Sequence, residues 1–168
     1  CTKLLDEAKQ LKRQGDEHKH TSEGVECYIH ATLKYTRAAE SLVNAKLRQA
    51  GLYRSTAAML IPSVSACQSR GDEQRLALCY TIMAFCYARA FTTLRDKCER
   101  DVRHLSELAP EDSKSLASHL GDMFRCLEFW EKARSYESRA RTTTLHPLDM
   151  RTSELIDHVT QNLSSLKQ

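Results

Sequence analysis

Four histidine and cysteine side chains near the N-terminus are the residues of this sequence that could bind a metal ion. They are His18, His20, Cys27 and His30, and both residue types are common zinc ligands. Cys27 and His30 could share one face of a helix, whereas the two earlier histidines fall near a helix end without fixed geometry. The sequence has no CxxC pair and no other paired-ligand spacing, so we expect neither a metal site nor another cofactor.

The cysteines are also the candidate nucleophiles. There are seven, an odd number, and they are isolated from one another within apolar stretches: Cys1, Cys27, Cys67, Cys79, Cys86, Cys98 and Cys126. Thiols on apolar helix faces are usually inert packing groups, and such usage is typical of reduced intracellular protein. The sequence also has no glycine-rich phosphate loop, GxSxG or HExxH motif. We therefore predict a non-catalytic protein.

The charge pattern argues against nucleic acid as a partner. The formal net charge is +3, far from a strongly basic footprint. Basic residues cluster at 9–19 and 134–141, but those at 95–103 alternate with acidic residues, as on a solvated, ion-paired face. No run of residues approaches the roughly 18 apolar positions that a membrane helix needs. We expect neither a nucleic-acid nor a membrane partner.

Apolar residues recur with helical period along the whole chain, and no stretch alternates with the period of a strand. A length of 168 residues fits one domain over 1–168, and because it begins with Cys rather than Met we expect a fragment of a longer protein. About seven helices in a TPR-like antiparallel bundle are predicted. Their expected ranges are 2–19, 22–46, 52–69 with a break near Pro62, 72–94, 96–108, 113–141 and 147–166.

The fourth predicted helix is apolar on nearly every side and is therefore expected at the centre of the bundle. In the sixth, the inward stripe is predicted to include Leu116, Leu120, Met123, Phe124, Leu127, Trp130 and Ala133. The core residues we expect are Tyr28, Leu78, Tyr80, Phe85, Tyr87, Phe91, Leu127 and Trp130.

Two large aromatic residues of the sixth predicted helix lie off its inward stripe. Phe129 and Tyr136 are two helical turns apart, on the far side from Leu127 and Trp130. They either contact the seventh helix of the same chain or form an exposed patch that a second subunit covers. We take the second interpretation as the working hypothesis, with Ile156 and Leu163 of the last helix as the next candidates for a dimer interface.

Several short segments, in one order along nearly the whole chain, resemble the C-terminal homology domain of the AFF (ALF) family of super elongation complex scaffolds. The N-terminal segments are EAKQLK at 7–12, GD at 15–16 and YIHATLKY at 28–35. The central segment is LCY at 78–80, followed by Ala84, Tyr87, Arg89, Phe91 and RD at 95–96. The C-terminal segments are FWE at 129–131 with Ala133, and TLH at 144–146. A short connection at 109–112 replaces the long Ser/Pro-rich insertion of many members, which suggests a Lilliputian-like member.

This resemblance implies a function that the composition and the apolar periodicity of the sequence do not indicate by themselves. AFF proteins are nuclear transcription-elongation scaffolds, and their folded C-terminal domain mediates homo- or heterodimerisation with another AFF protein. Other parts of the full-length chain would bind the elongation-complex proteins. The alternative hypothesis is a TPR-like or MIT-like helical domain that binds short linear peptides in a groove as a monomer.

Overall fold

The computed structural model describes residues 2–136 and 146–166, and within these ranges every regular element is helical. The helices are α1 (Thr2–Glu17), α2 (Ser22–Glu40), α3 (Lys46–Met59), α4 (Ile61–Arg70), α5 (Glu73–Arg103), α6 (Pro110–Ser135) and α7 (Thr152–Ser165), with a 3₁₀ turn at Leu105–Glu107. The all-α class is confirmed. Because only Leu60 separates α3 from α4, the two can equally be regarded as one bent helix.

Several predicted helix boundaries are wrong, and the predicted fourth and fifth helices are one. No glycine or proline interrupts 72–108, so α5 continues past Arg95 to Arg103. The predicted second helix ends early, at Glu40, and the third begins early, at Lys46. The last helix begins at Thr152 rather than at Pro147. The predicted end of the sixth helix, Arg141, and the expected turn at 142–144 lie outside the described residues.

The predicted break at Pro62 and the predicted start near Asp72 are confirmed. Pro62 lies in the first turn of α4, where a missing N–H costs no helical hydrogen bond. Gly71 then ends α4 with a left-handed φ of 66°, a conformation that glycine adopts without steric cost. The Asp72 carboxylate accepts a hydrogen bond from the Arg75 N–H at 3.2 Å and so caps α5.

Helix α5 lies at the centre of the bundle, packed against α3, α4 and α6. Its length and composition would suffice to cross a membrane, but 72% of its most apolar window is buried inside the fold, and a buried core helix passes the same test. Of the predicted core residues, Tyr28, Leu78, Tyr80, Phe85 and Trp130 are buried. Tyr87 and Phe91 are only half-buried, and Leu127 is exposed.

Helices α1 and α2 form an antiparallel hairpin joined by a tight loop. The Tyr28 hydroxyl donates to the Asp16 carboxylate near the loop, and Lys34 pairs with Glu7 further along. Thr21 caps α2 by accepting a hydrogen bond from the Gly24 N–H at 3.1 Å. The loop backbone passes so close to this first turn that a Cβ on Gly24 would collide with the carbonyl oxygen of His18.

This close approach predicts opposite effects of alanine at two helical glycines. Gly24→Ala should lower the free energy of unfolding by about 1–3 kcal/mol, because a backbone group, not a flexible side chain, would have to move. Gly51→Ala is the control, since its Cβ would meet nothing within 4 Å, and it should raise stability by about 0.5–1 kcal/mol. Urea unfolding followed by circular dichroism measures both. Equal effects at the two positions would contradict the packing of this loop.

Candidate interaction surface

An exposed apolar stripe runs along the middle of α6. It consists of Leu120, Met123, Phe124 and Leu127, whose exposed fractions are 38%, 36%, 72% and 37%. These positions follow the i, i+3, i+4, i+7 spacing that places side chains on one helix face. The sequence predicts that all four face inward, and that prediction is wrong, because all four are exposed, including Leu127, which was assigned to the core. The α6 stripe, as we call these four residues, is the candidate interaction surface.

The face that α6 buries is rotated by roughly a quarter turn from the predicted one, given 100° per residue. It contains two polar side chains among apolar ones of mixed size: Leu116, His119, Asp122, Cys126, Trp130 and Ala133. Leu116, Trp130 and Ala133 were predicted to face inward. His119 and Asp122 were not, because a reading of apolar periodicity assigns polar residues to solvent.

A buried ion pair between α3 and α6 is satisfied in this rotational setting of α6. The Asp122 carboxylate is fully buried, and the Arg54 guanidinium donates to it from Nε at 2.9 and 3.1 Å and from Nη2 at 2.6 Å. Arg125 lies 3.7 Å away on the outer side. Such a bidentate contact has strict geometry, so α6 satisfies Asp122 in only one rotational setting.

An aromatic cluster between α5 and α6 stabilises the same setting. Phe129 stacks on Tyr80 and Tyr87 with ring centroids 6.0 and 5.7 Å apart, and Tyr136 stacks on Tyr80 at 6.3 Å. Lys132 lies over the rings of Tyr80 and Phe129. The two aromatic side chains are therefore partly covered by their own chain, and their contact with a second subunit stays a prediction. Both are half-buried within their own chain, against α5 rather than the seventh helix that we named as the alternative.

The two candidates on α7 also differ from each other. Leu163 is buried in the core with Leu155 and Val159, so it is not available to a partner while the chain is folded. Ile156 is half-buried and lines a groove between α1, α2 and α7. The structure thus separates the four predicted interface residues into different environments, and none of them belongs to the α6 stripe.

The possible metal and thiol chemistry finds little support in the geometry. Among residues 2–136 and 146–166, no three His, Cys, Asp or Glu side chains are grouped to hold a metal ion. Burial raises the pKa of the Cys86 thiol to about 12 and that of Cys126 to about 11. A hydrogen bond with Cys67 and burial together raise the pKa of Cys79. These three thiols therefore remain protonated, and weakly nucleophilic, near neutral pH.

Comparison with known proteins adds no constraint on this surface. The chain matches no protein-family model, and no curated protein or solved structure is significantly similar to it. The resemblance to the AFF C-terminal domain therefore stays a prediction from the residues quoted above.

The ion pair between α3 and α6 leads to a stability prediction. Arg54→Met should lower the free energy of unfolding by about 3–5 kcal/mol, because it leaves the buried Asp122 carboxylate without its bidentate partner. Lys46→Met is the matched control, since its contact with Asp96 is mostly exposed and should be worth less than about 1 kcal/mol. Chemical unfolding of both variants measures the difference. A cost near that of the control would mean that Asp122 does not fix α6.

His119, one turn before Asp122, leads to a pH prediction. It is buried and its Nδ1 has no hydrogen-bond partner among the described groups. Burial is the main cause that lowers the pKa of His119, with Arg54 and Lys97 adding to it and Asp122 and Asp101 opposing it. The folded state therefore keeps the imidazole neutral, while the unfolded chain takes up a proton below about pH 6.5. Stability should fall as pH drops below that value and level off below the lowered folded pKa.

The measurement is urea unfolding at about pH 7.5, 6.5 and 5.5, a range above the ordinary carboxylate pKa values. His119→Gln should show a smaller loss of stability over this range than the unmodified chain. Burial lowers the pKa of His158 as well, so the loss should not vanish until His158→Gln is added. An unchanged pH dependence in His119→Gln would contradict the burial of a neutral imidazole.

Proposed function

We propose that this chain is a non-catalytic self-association domain of a nuclear transcription-elongation scaffold. The α6 stripe is the surface through which it pairs, either with a second copy of the chain or with a related AFF protein. The resemblance to the AFF C-terminal domain supports the scaffold role and the nuclear location. The exposed α6 stripe is the observation that supports pairing. Four adjacent large apolar side chains facing water form the kind of patch that marks a protein interface.

The spacing of the stripe suits a second copy of the same helix. Two α6 helices related by a two-fold axis at the stripe centre, between Met123 and Phe124, are antiparallel. This brings Leu120 of each copy beside Leu127 of the other. A self-complementary surface of this kind closes as a dimer, with each contact made twice. At 1.5 Å per residue the 26 residues of α6 extend about 39 Å, long enough for a continuous two-helix seam.

Charge along the same face favours the antiparallel orientation. Glu131 and Arg134 lie one and two turns beyond the C-terminal end of the stripe, whereas Leu116 and Ser113 occupy the symmetry-related positions at its N-terminal end. An antiparallel pair brings Glu131 near Leu116 of the second copy and Arg134 near Ser113 of the second copy. A parallel pair would instead place Glu131 beside Glu131, and like charges at close range are unfavourable.

Phe124→Asp provides the test of this function. It should weaken the dimer at least about 30-fold, because the most exposed residue of the stripe acquires a charge that is buried twice in a two-fold interface. Val43→Asp is the matched control, since Val43 is similarly exposed, at 70%, but lies after the end of α2. Size exclusion with light scattering over a dilution series from about 100 μM gives the dissociation constants.

Three outcomes can be distinguished. A monomeric unmodified chain at about 100 μM would reject self-association of this chain. A dimer that Phe124→Asp leaves intact would place the seam elsewhere and reject the α6 stripe. Loss of the dimer with unchanged far-ultraviolet circular dichroism would support both parts of the proposal.

A further inference from the structure

A groove on the outer face of α2 is separate from the α6 stripe. It has a volume of about 410 Å³ and is lined by Leu11, His30, Leu33, Lys34, Arg37, Ile156 and Thr160. Four of these residues form one face of α2 at i, i+3, i+4 and i+7, and they are the floor. Leu11 of α1 and Ile156 and Thr160 of α7 are the walls. The groove therefore lies along α2, between two helices that both pack on it.

Polar contacts hold both walls in place. The ammonium group of Lys34 pairs with Glu7 of α1, and the Thr152 hydroxyl at the start of α7 donates to Glu40 of α2 at 2.8 Å. Helix α7 is further anchored by Leu155, Val159 and Leu163, which are buried in the core. The groove is therefore a preformed feature of the fold, as ligand sites usually are.

The side chains in the groove combine aliphatic and cationic groups. Leu11, Leu33 and Ile156 are aliphatic, while Lys34 and Arg37 are cationic, and no carboxylate among residues 2–136 and 146–166 lines the groove. Glu7 partly neutralises Lys34 from outside. The Arg37 side chain is exposed and forms no ion pair with any residue in 2–136 or 146–166. A complementary ligand carries apolar side chains that contact Leu11, Leu33 and Ile156, and an acidic group beside Arg37.

We propose that this groove binds a short amphipathic segment of another protein that presents leucine-type side chains together with Glu or Asp. Amphipathic helices bind such grooves through apolar anchors one turn apart, and their flanking charges set the specificity. A nucleic acid fits less well, because the phosphate backbone needs several cations and the net charge is only +3. The site shares no residue with the α6 stripe, so the proposal does not depend on self-association.

The experiment uses two synthetic peptides of about 12 residues, or about three helical turns. Both carry leucine at every third or fourth position, with glutamate at all other positions in one and lysine in the other. Fluorescence anisotropy of the labelled peptides measures binding to the chain. The glutamate peptide should bind with a dissociation constant of about 10–100 μM, and the lysine peptide at least about tenfold more weakly.

Variants locate the site. Arg37→Glu should weaken binding of the glutamate peptide at least about tenfold, and Thr160→Trp, which fills the groove from an exposed position, should do the same. Arg48→Glu is the control for charge, since Arg48 is exposed on α3, outside the groove. Phe124→Asp should leave peptide binding unchanged. Circular dichroism confirms that each variant remains helical.

The proposal is overturned if the glutamate peptide fails to bind at about 1 mM, a limit set by the weakest specific affinities. It is equally overturned if Arg37→Glu and Arg48→Glu have the same effect, because binding would then follow net charge alone. Tighter binding of a single-stranded oligonucleotide, blocked by Arg37→Glu, would assign the groove to nucleic acid instead.

Discussion

The pairing of Arg54 with the buried Asp122 is the interaction on which the outer surface of this bundle depends. A fully buried carboxylate must keep its hydrogen bonds, since an unpaired charge in a low-dielectric interior is very unfavourable. Helix α6 therefore packs with Asp122 towards Arg54 of α3, and every other side chain of α6 follows from that setting. Phe129 turns towards Tyr80 and Tyr87, and the large apolar side chains of the stripe turn to solvent.

Much of the fold follows from the sequence alone. The helical class, the break at Pro62, the cap at Asp72 and the central position of 72–94 all rest on local signals: apolar period, imino-acid geometry and side-chain capping. Boundaries without such a signal were placed wrongly. Nothing between Leu94 and Asp96 ends a helix, so the predicted division there has no glycine, proline or capping signal behind it. Helix α5 continues because its charged second half still buries Leu94 and Cys98.

The candidate surface could not be predicted in the same way. Helix α6 has two competing faces. One consists of the four large apolar residues of the α6 stripe, and the other combines apolar residues of mixed size with His119 and Asp122. Apolar period selects the first face, because burial of leucine and phenylalanine is favourable at about 25 cal/mol per Å². The partner that makes the second face favourable, Arg54, is 68 residues away in sequence. A contact of that range has no signature in a single sequence.

The two faces of α6 also suggest a reason why the chain buries the Arg54–Asp122 ion pair. Buried ion pairs rarely stabilise a fold better than well-packed apolar side chains of similar volume. What the ion pair contributes is orientation. Asp122 is paired with Arg54 in the observed rotational setting of α6. A setting that turned the α6 stripe inward would leave Asp122 unpaired, so the ion pair disfavours that setting. The exposed apolar surface of the α6 stripe accompanies this orientation of α6. A second α6 packed on the stripe, as proposed above, would remove that surface from water.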